Sequence, residues 1–262
     1  TWVTCAGNQP AVGEDGQPLP GTAQYVVSYD HATGEVSEPV LIGFGHNAYT
    51  ETPDVHNAGA IVADSDGGLH VVIGAHQHHF WHVRSKVAVP QTAADWTEPE
   101  ALGLRRRYDC GYTYVALAID AEDTLHVVGR NMSRGTASDG TVLGPDEINN
   151  ADMTRTLDYM RAKKQPDGSW KWEELGPLVV AFHRAYSIFY QKLAMDRDGR
   201  LFLTYYYYAA QLTPEMAEAY RAKWPGENLA DPEEGKAYKV RPHDPAIIMS
   251  EDGGDTWRIA TT

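Results

Sequence analysis

Four residues in this chain have side chains suited to moving a proton beside a carboxylate: His56, His76, Tyr114 and Arg130. Histidine titrates near neutral pH, and either histidine or tyrosine can take a proton from carbon or give one to oxygen. Arginine grips a carboxylate through two parallel hydrogen bonds. Such a set suits β-elimination on a uronic-acid sugar. A base removes the proton at C5, and the 4-oxygen leaves with a proton of its own. The C5 proton becomes acidic once Arg or protonated His neutralises the adjacent carboxylate and stabilises the developing enolate. His or Tyr serves as base and Tyr as acid. None of these steps demands a metal.

The elements that must position these residues repeat. The segments "AIVADSDGGLHVVIG" (60–74), "ALAIDAEDTLHVVGR" (116–130) and "KLAMDRDGRLFLTYY" (192–206) share one template. A short apolar strand meets an Asp and a polar turn, and a second apolar strand returns. Asp64, Asp120 and Asp196 are equivalent, and their irregular spacing puts the extra residues into loops. Residues equidistant from a hairpin turn face each other. With turns centred on Asp66, Glu122 and Asp198, the facing pairs are His56 with His76, Tyr114 with Arg130, and Tyr190 with Tyr206. All three pairs leave the hairpins at the end opposite the turn, so they converge on one rim.

A second, more amphipathic pair of strands follows each hairpin: "WHVRSKV…WTEPEAL", "DYMRAKKQPDGSWKWEEL" and "AIIMSEDGGDTWRIA". Two hairpins in series make a four-stranded antiparallel sheet, and successive sheets of this kind read as the blades of an all-β propeller. An outer-type hairpin at 24–43 opens the chain, and three full blades follow. That makes about three and a half blades, while a closed propeller needs roughly four to eight, so residues 1–262 are expected to be one propeller domain or a fragment of one. "SEDGGDTW" (250–257) matches the Asp-box, in which Ser250 and Asp252 tie a hairpin turn over Trp257. Residues 131–156 read as a long loop. An insertion at about 212–238 starts with Thr213 as helix cap and Pro214 as first helical residue. "RRRY" (105–108) reads as a solvated loop.

The bulk numbers narrow the partners. The 262 residues carry a formal net charge of −14, which argues against nucleic acid and anionic membrane as partners. No apolar run reaches the roughly 18 residues of a membrane span. A secreted or periplasmic monomer is expected. Cys5 and Cys110 imply no disulfide framework. The run "HQHHFWH" (76–82) raises the question of a structural Ca²⁺ or Zn²⁺ ion, with His78 and Cys110 as candidate ligands, although the spacing fits no standard zinc pattern.

"DVHNAGAIVADSDGGLHVVIGAH…VRS", "TYVALAIDAEDTLHVVGR" and the Asp-box together resemble the BNR-repeat propellers that include ulvan lyases. The resemblance covers roughly residues 22–210 and 245–259. It implies a seven-bladed propeller, of which this chain covers about half, acting on anionic polysaccharides of rhamnose and uronic acid. It also implies catalytic roles for His56, His76, Tyr114 and Arg130, while Asn57, which forms the first His-Asn pair with His56, is expected to bind substrate. A further cation that binds the uronate falls at His183 or Arg184, and Tyr190 joins the substrate-binding set from its mirrored place. The expected activity is a polysaccharide lyase. Tyr114 and His56 would transfer protons, His76 and Arg130 would neutralise the carboxylate, and no cofactor is required. A rhamnosidase-like glycoside hydrolase and a non-catalytic carbohydrate-binding propeller are the alternatives. A sialidase fits less well, since Arg130 alone is placed for an arginine triad.

Overall fold

The computed structural model describes residues 1–7, 21–46, 54–102, 111–133, 154–180, 188–207, 214–223, 225 and 244–260. It is an all-β chain of successive antiparallel sheets. The first sheet holds β1 (Trp2–Ala6), β2 (Thr22–Ser28) and β3 (Val40–Gly45) in that order. The second is built from β4 (Ala60–Ala63) and β5 (Leu69–Ile73), skips β6 (His76–His78), and continues with β7 (Phe80–Arg84) and β8 (Glu100–Leu102). The third runs β9 (Tyr112–Ile119), β10 (Leu125–Ser133), β11 (Thr154–Lys164) and β12 (Trp170–Val180), with β6 on the free edge of β9. The fourth is β13 (Ile188–Met195), β14 (Leu201–Tyr207), β15 (Asp244–Ser250) and β16 (Arg258–Ile259). Helix α1 (Pro214–Lys223) lies between β14 and β15. The opening hairpin gains β1 as a third strand. Part of the segment read as a long loop is strand, since β10 runs to Ser133 and β11 begins at Thr154; residues 134–153 and "RRRY" lie outside the described residues.

The recurring Asp works the same way in all three hairpins. One carboxylate oxygen accepts the backbone N–H four residues on: Gly68 at 2.6 Å, Thr124 at 2.6 Å and Arg200 at 3.0 Å. The other oxygen takes a ring donor from the returning strand, His70 Nε2 at 3.3 Å and His126 Nε2 at 3.1 Å, or, where Phe202 replaces the histidine, Nε of Arg200 just before that strand at 2.7 Å. The third turn residue adopts positive φ, as Gly67, Asp123 and Gly199. Glycine takes that conformation without a Cβ clash. Asp123 takes it too, and its carboxylate reaches back to Ser65 N and Oγ at 2.7 and 2.6 Å, joining the second sheet to the third.

Each seam between sheets has its own apolar cluster. Val26, Ile42, Val71 and Trp96 fill the first seam, Val72, Phe80, Val127 and Met160 the second, and Val128, Leu157, Tyr159 and Leu203 the third. Consecutive valines therefore point to opposite seams, as period-two strands require. A strand buried on both faces reads as a near-continuous apolar run, as in "LHVVI", whose one polar residue, His70, is buried against Asp64 and His82. The turn at 250–257 is clasped by Gly254 N donating to Ser250 Oγ and Thr256 N donating to Asp252, both at 2.9 Å. Trp257 packs edge-on against Tyr159.

Candidate active site

The strands β4, β9 and β13 lie side by side, and the candidate residues collect at their shared end. His56 sits on the 3-10 turn Val55–Asn57 that precedes β4. His76 opens β6, which leaves its own sheet and pairs with β9, His76 opposite Thr113 and His78 opposite Tyr112. The crossing is possible because Gly111 has φ 74° and no side chain; a Cβ there would stand 2.7 Å from the backbone of Gln77 and His78. His76 N also donates to His46 O at 3.0 Å. His56 and His76 thus meet as expected, but by strand exchange between sheets rather than as a cross-strand pair.

The hairpin centres fall where the sequence places them, with Ala63 opposite Leu69, Ile119 opposite Leu125 and Met195 opposite Leu201. Toward the site the register slips by one. Arg130 lies opposite Thr113, and Tyr206 opposite Phe189, so the expected Tyr114–Arg130 and Tyr190–Tyr206 pairings do not form. The extra residue in each bulge is the tyrosine itself, Tyr114 with φ 58° and Tyr190 with φ 52°. Bulky residues avoid this region, at a cost of roughly 1–2 kcal/mol each. Bulges that re-aim a side chain gather beside active sites. Gln191 Nε2 pins the first bulge by donating to Tyr114 O.

The result is a row of four rings. His76 and His56 stack with centroids 4.3 Å apart, Tyr114 lies 5.3 Å from His56, and Tyr190 lies 5.4 Å from Tyr114. Arg130 Cζ stands 4.6 Å from the centroid of the Tyr114 ring. Asp54 lies beside the two imidazoles. Its Oδ1 accepts from His56 Nδ1 at 2.5 Å and its Oδ2 from His76 Nδ1 at 2.6 Å. Burial opposes the charge on Asp54, but hydrogen bonds from the His56 backbone and from both rings outweigh it and hold the carboxyl below its ordinary value. Burial lowers the His76 pKa, and neighbouring His56 and Arg130 lower it further against the pull of Asp54. Burial thus favours the neutral form of His76, against the cationic role expected for it.

Several expectations change. Asn57 is 0% exposed, and its amide donates to Thr22 Oγ1 at 3.1 Å and Gly45 O at 2.9 Å. It holds the turn that carries His56 and is buried rather than open to the cleft. Arg130 is 1% exposed, so it lies against the Tyr114 ring rather than on the cleft surface. Tyr190 is 54% exposed beside Tyr114. His78 stacks on His46 at 4.9 Å and belongs to no trio of closely spaced ligand atoms among the described residues. His82 is buried, with Nε2 3.0 Å from His70 Nδ1. The histidine run therefore divides among site, stack and core. His183, Arg184 and Cys110 lie outside the described residues, and Cys5 is an exposed thiol on β1. Asp54 went unread in the sequence, although "DVHN" sets an acid two residues before His56.

Asp54, His56 and His76 bring three ligand atoms within 4.8 Å of one another. That donor set suits zinc. In this structure the Nδ1 atoms of both rings bond to the carboxylate. The arrangement sets two imidazoles and a phenol in one row, with a buried cation below.

The chain matches the model of a family described as BNR repeat-containing family member over residues 24–261. No curated protein matches it in sequence. Among solved structures, an ulvan lyase of polysaccharide lyase family PL25 aligns with a TM-score of 0.54 at 15% identity, over 97% of this chain and 55% of that one. The polysaccharide lyase Uly1 aligns with a TM-score of 0.50 at 12% identity, over 98% of this chain and 52% of that one. The chain thus spans about half the length of these lyases, and at such identities the likeness is one of fold.

Proposed function

The chain belongs to the BNR repeat-containing family, and from that premise we propose that it is a polysaccharide lyase acting by β-elimination on a uronate glycan, of the ulvan-like kind in which rhamnose alternates with uronic acid. The observation that carries the reading is Tyr114, set between His56 and Arg130 at 5.3 and 4.6 Å. A proton-transfer pair beside a buried positive charge is what removal of a C5 proton needs. The fold likeness to an ulvan lyase makes rhamnose–uronate glycans the first substrates to test.

In this reading a base among His56 and Tyr114 takes the C5 proton. The electron pair moves through the enolate to form the C4=C5 bond, the C4–O bond breaks, and Tyr114 protonates the leaving oxygen. Arg130, shielded from solvent, bears on the carboxylate and on any phenolate at Tyr114 with little screening. Tyr190 offers its exposed face to a neighbouring sugar. His76, neutral, supports His56. Since the substrate is a polymer, the enzyme acts outside the cytoplasm.

Glycoside hydrolysis commonly needs a pair of carboxyl groups flanking the bond. The described part of this site holds one, Asp54, with both oxygens engaged by histidines. This weighs against the hydrolase reading. The test is incubation with a panel of uronate polysaccharides. New reducing ends together with the ultraviolet absorbance of an unsaturated uronate support the lyase. New reducing ends without that absorbance refute it in favour of a hydrolase, and binding without cleavage in favour of a carbohydrate-binding propeller.

A further inference from the structure

One carboxylate carries both imidazoles of the site. Asp54 Oδ1 accepts from the His56 backbone N–H at 2.9 Å as well as from His56 Nδ1, while Oδ2 accepts from His76 Nδ1. The carboxylate is itself held in place, its backbone N–H donating to Thr22 Oγ1 at 2.9 Å on β2. An ionised carboxylate offers lone pairs only. Both rings must then bring a proton on Nδ1, and in a neutral ring the other nitrogen is left bare.

We propose that Asp54 is a positioning residue that locks His56 and His76 together as Nδ1–H tautomers, so that Nε2 of each ring is the proton acceptor offered to the substrate. Sequence-distant His76 is on β6 and His56 on the turn before β4, so the clamp also ties the crossing strand to that turn. The catalytic consequence rests on the lyase reading; the tautomers do not. Neither ring could swap tautomer without setting a bare nitrogen against a negative oxygen. In the proton-transfer step, His56 Nε2 is the atom that receives the C5 proton or helps Tyr114 receive it, and the resulting imidazolium keeps its Nδ1–H bond to Asp54.

Replacement of Asp54 by Asn separates the two positions. The amide presents one acceptor and one donor. Its oxygen is retained at the Oδ1 place, where it still accepts the His56 backbone and ring N–H groups. Its NH₂ faces His76, whose Nδ1 must then accept, and His76 becomes the Nε2–H tautomer.

The experiment is ¹⁵N NMR of the histidine rings in the whole chain at a pH where they are neutral, with signals assigned by comparison with His56→Gln and His76→Gln. The expected wild-type spectrum has protonated Nδ1 and bare Nε2 for both rings, and Asp54→Asn exchanges the two signals of His76 alone. A wild-type Nε2–H form of either ring, or an unchanged His76 in Asp54→Asn, overturns the proposal. Should Asp54→Asn not fold, the wild-type spectrum decides alone. On a glycan that the wild type cleaves, Asp54→Asn should lower kcat with KM little changed, and by much less than the loss seen when a catalytic histidine is itself left in the wrong tautomer, because His56 keeps its Nδ1–H bond. A wild type that cleaves nothing but shows the expected tautomers sinks the lyase reading and leaves the clamp standing.

Discussion

The guanidinium of Arg130 lies under the ring of Tyr114, Cζ to centroid 4.6 Å, while Arg130 itself is 1% exposed. A cation this deep is held close to the tyrosine hydroxyl's own ring and is little screened by water. Loss of its charge should therefore reach the chemical step. Arg130→Met is expected to lower kcat by about 10²–10³-fold, the scale of removing one preorganised electrostatic group. Arg130→Lys keeps charge but not the planar stacking guanidinium, so it should fall between the two. Equal activity of Met and Arg forms, with folding checked by thermal melts, would dissociate the cation from catalysis.

Tyr190 pulls stability and function in opposite directions. It holds φ 52° and is 54% exposed. Tyr190→Gly should stabilise the chain by up to about 1 kcal/mol in chemical denaturation, since glycine accepts that conformation without a Cβ clash. The same change should raise KM several-fold, with a smaller effect on kcat, because a sugar-stacking face is lost. A destabilised Gly variant would show that the ring packs more than it strains.

The legible parts of the molecule were those that local chemistry dictates. The Asp-turn template located three hairpin centres to the residue because each Asp accepts a backbone N–H four residues on. The bulges escaped because a tyrosine at positive φ runs against its own preference and is stabilised only by neighbours such as Gln191, which is 77 residues away from Tyr114. Asp54 escaped for a related reason. Its two partners come together only when β6 crosses to β9, and no spacing rule encodes that crossing. The histidine run was conspicuous in sequence, but its division into His76 at the site, His78 against His46, and His82 beside His70 depends on which side of each seam a residue faces.

The core histidines predict how stability depends on pH. Burial, then the neighbouring His82, pushes the His70 pKa down to about 4 from 6.5. Between those values the unfolded chain takes up a proton that the folded chain refuses, so stability is full above about 6.5 and falls as the pH drops toward 4. Buried His82 and half-buried His46, also lowered by burial, act in the same direction. Urea denaturation at a series of pH values should show this decline in the wild type and a shallower one in His70→Leu. Parallel curves for the two proteins would contradict the assignment.

The account as a whole turns on the hydroxyl of Tyr114. Tyr114→Phe keeps the ring, its contact with Arg130 and its place in the bulge, and removes only the group that would move a proton. The deciding measurement is the initial rate of unsaturated-uronate formation, followed by ultraviolet absorbance, for wild type and Tyr114→Phe on the same rhamnose–uronate glycan. The expected result is a fall of about 10²–10⁴-fold with unchanged thermal stability, the usual worth of a positioned acid or base. A Phe variant that works at the wild-type rate would contradict the account and take Tyr114 out of the mechanism.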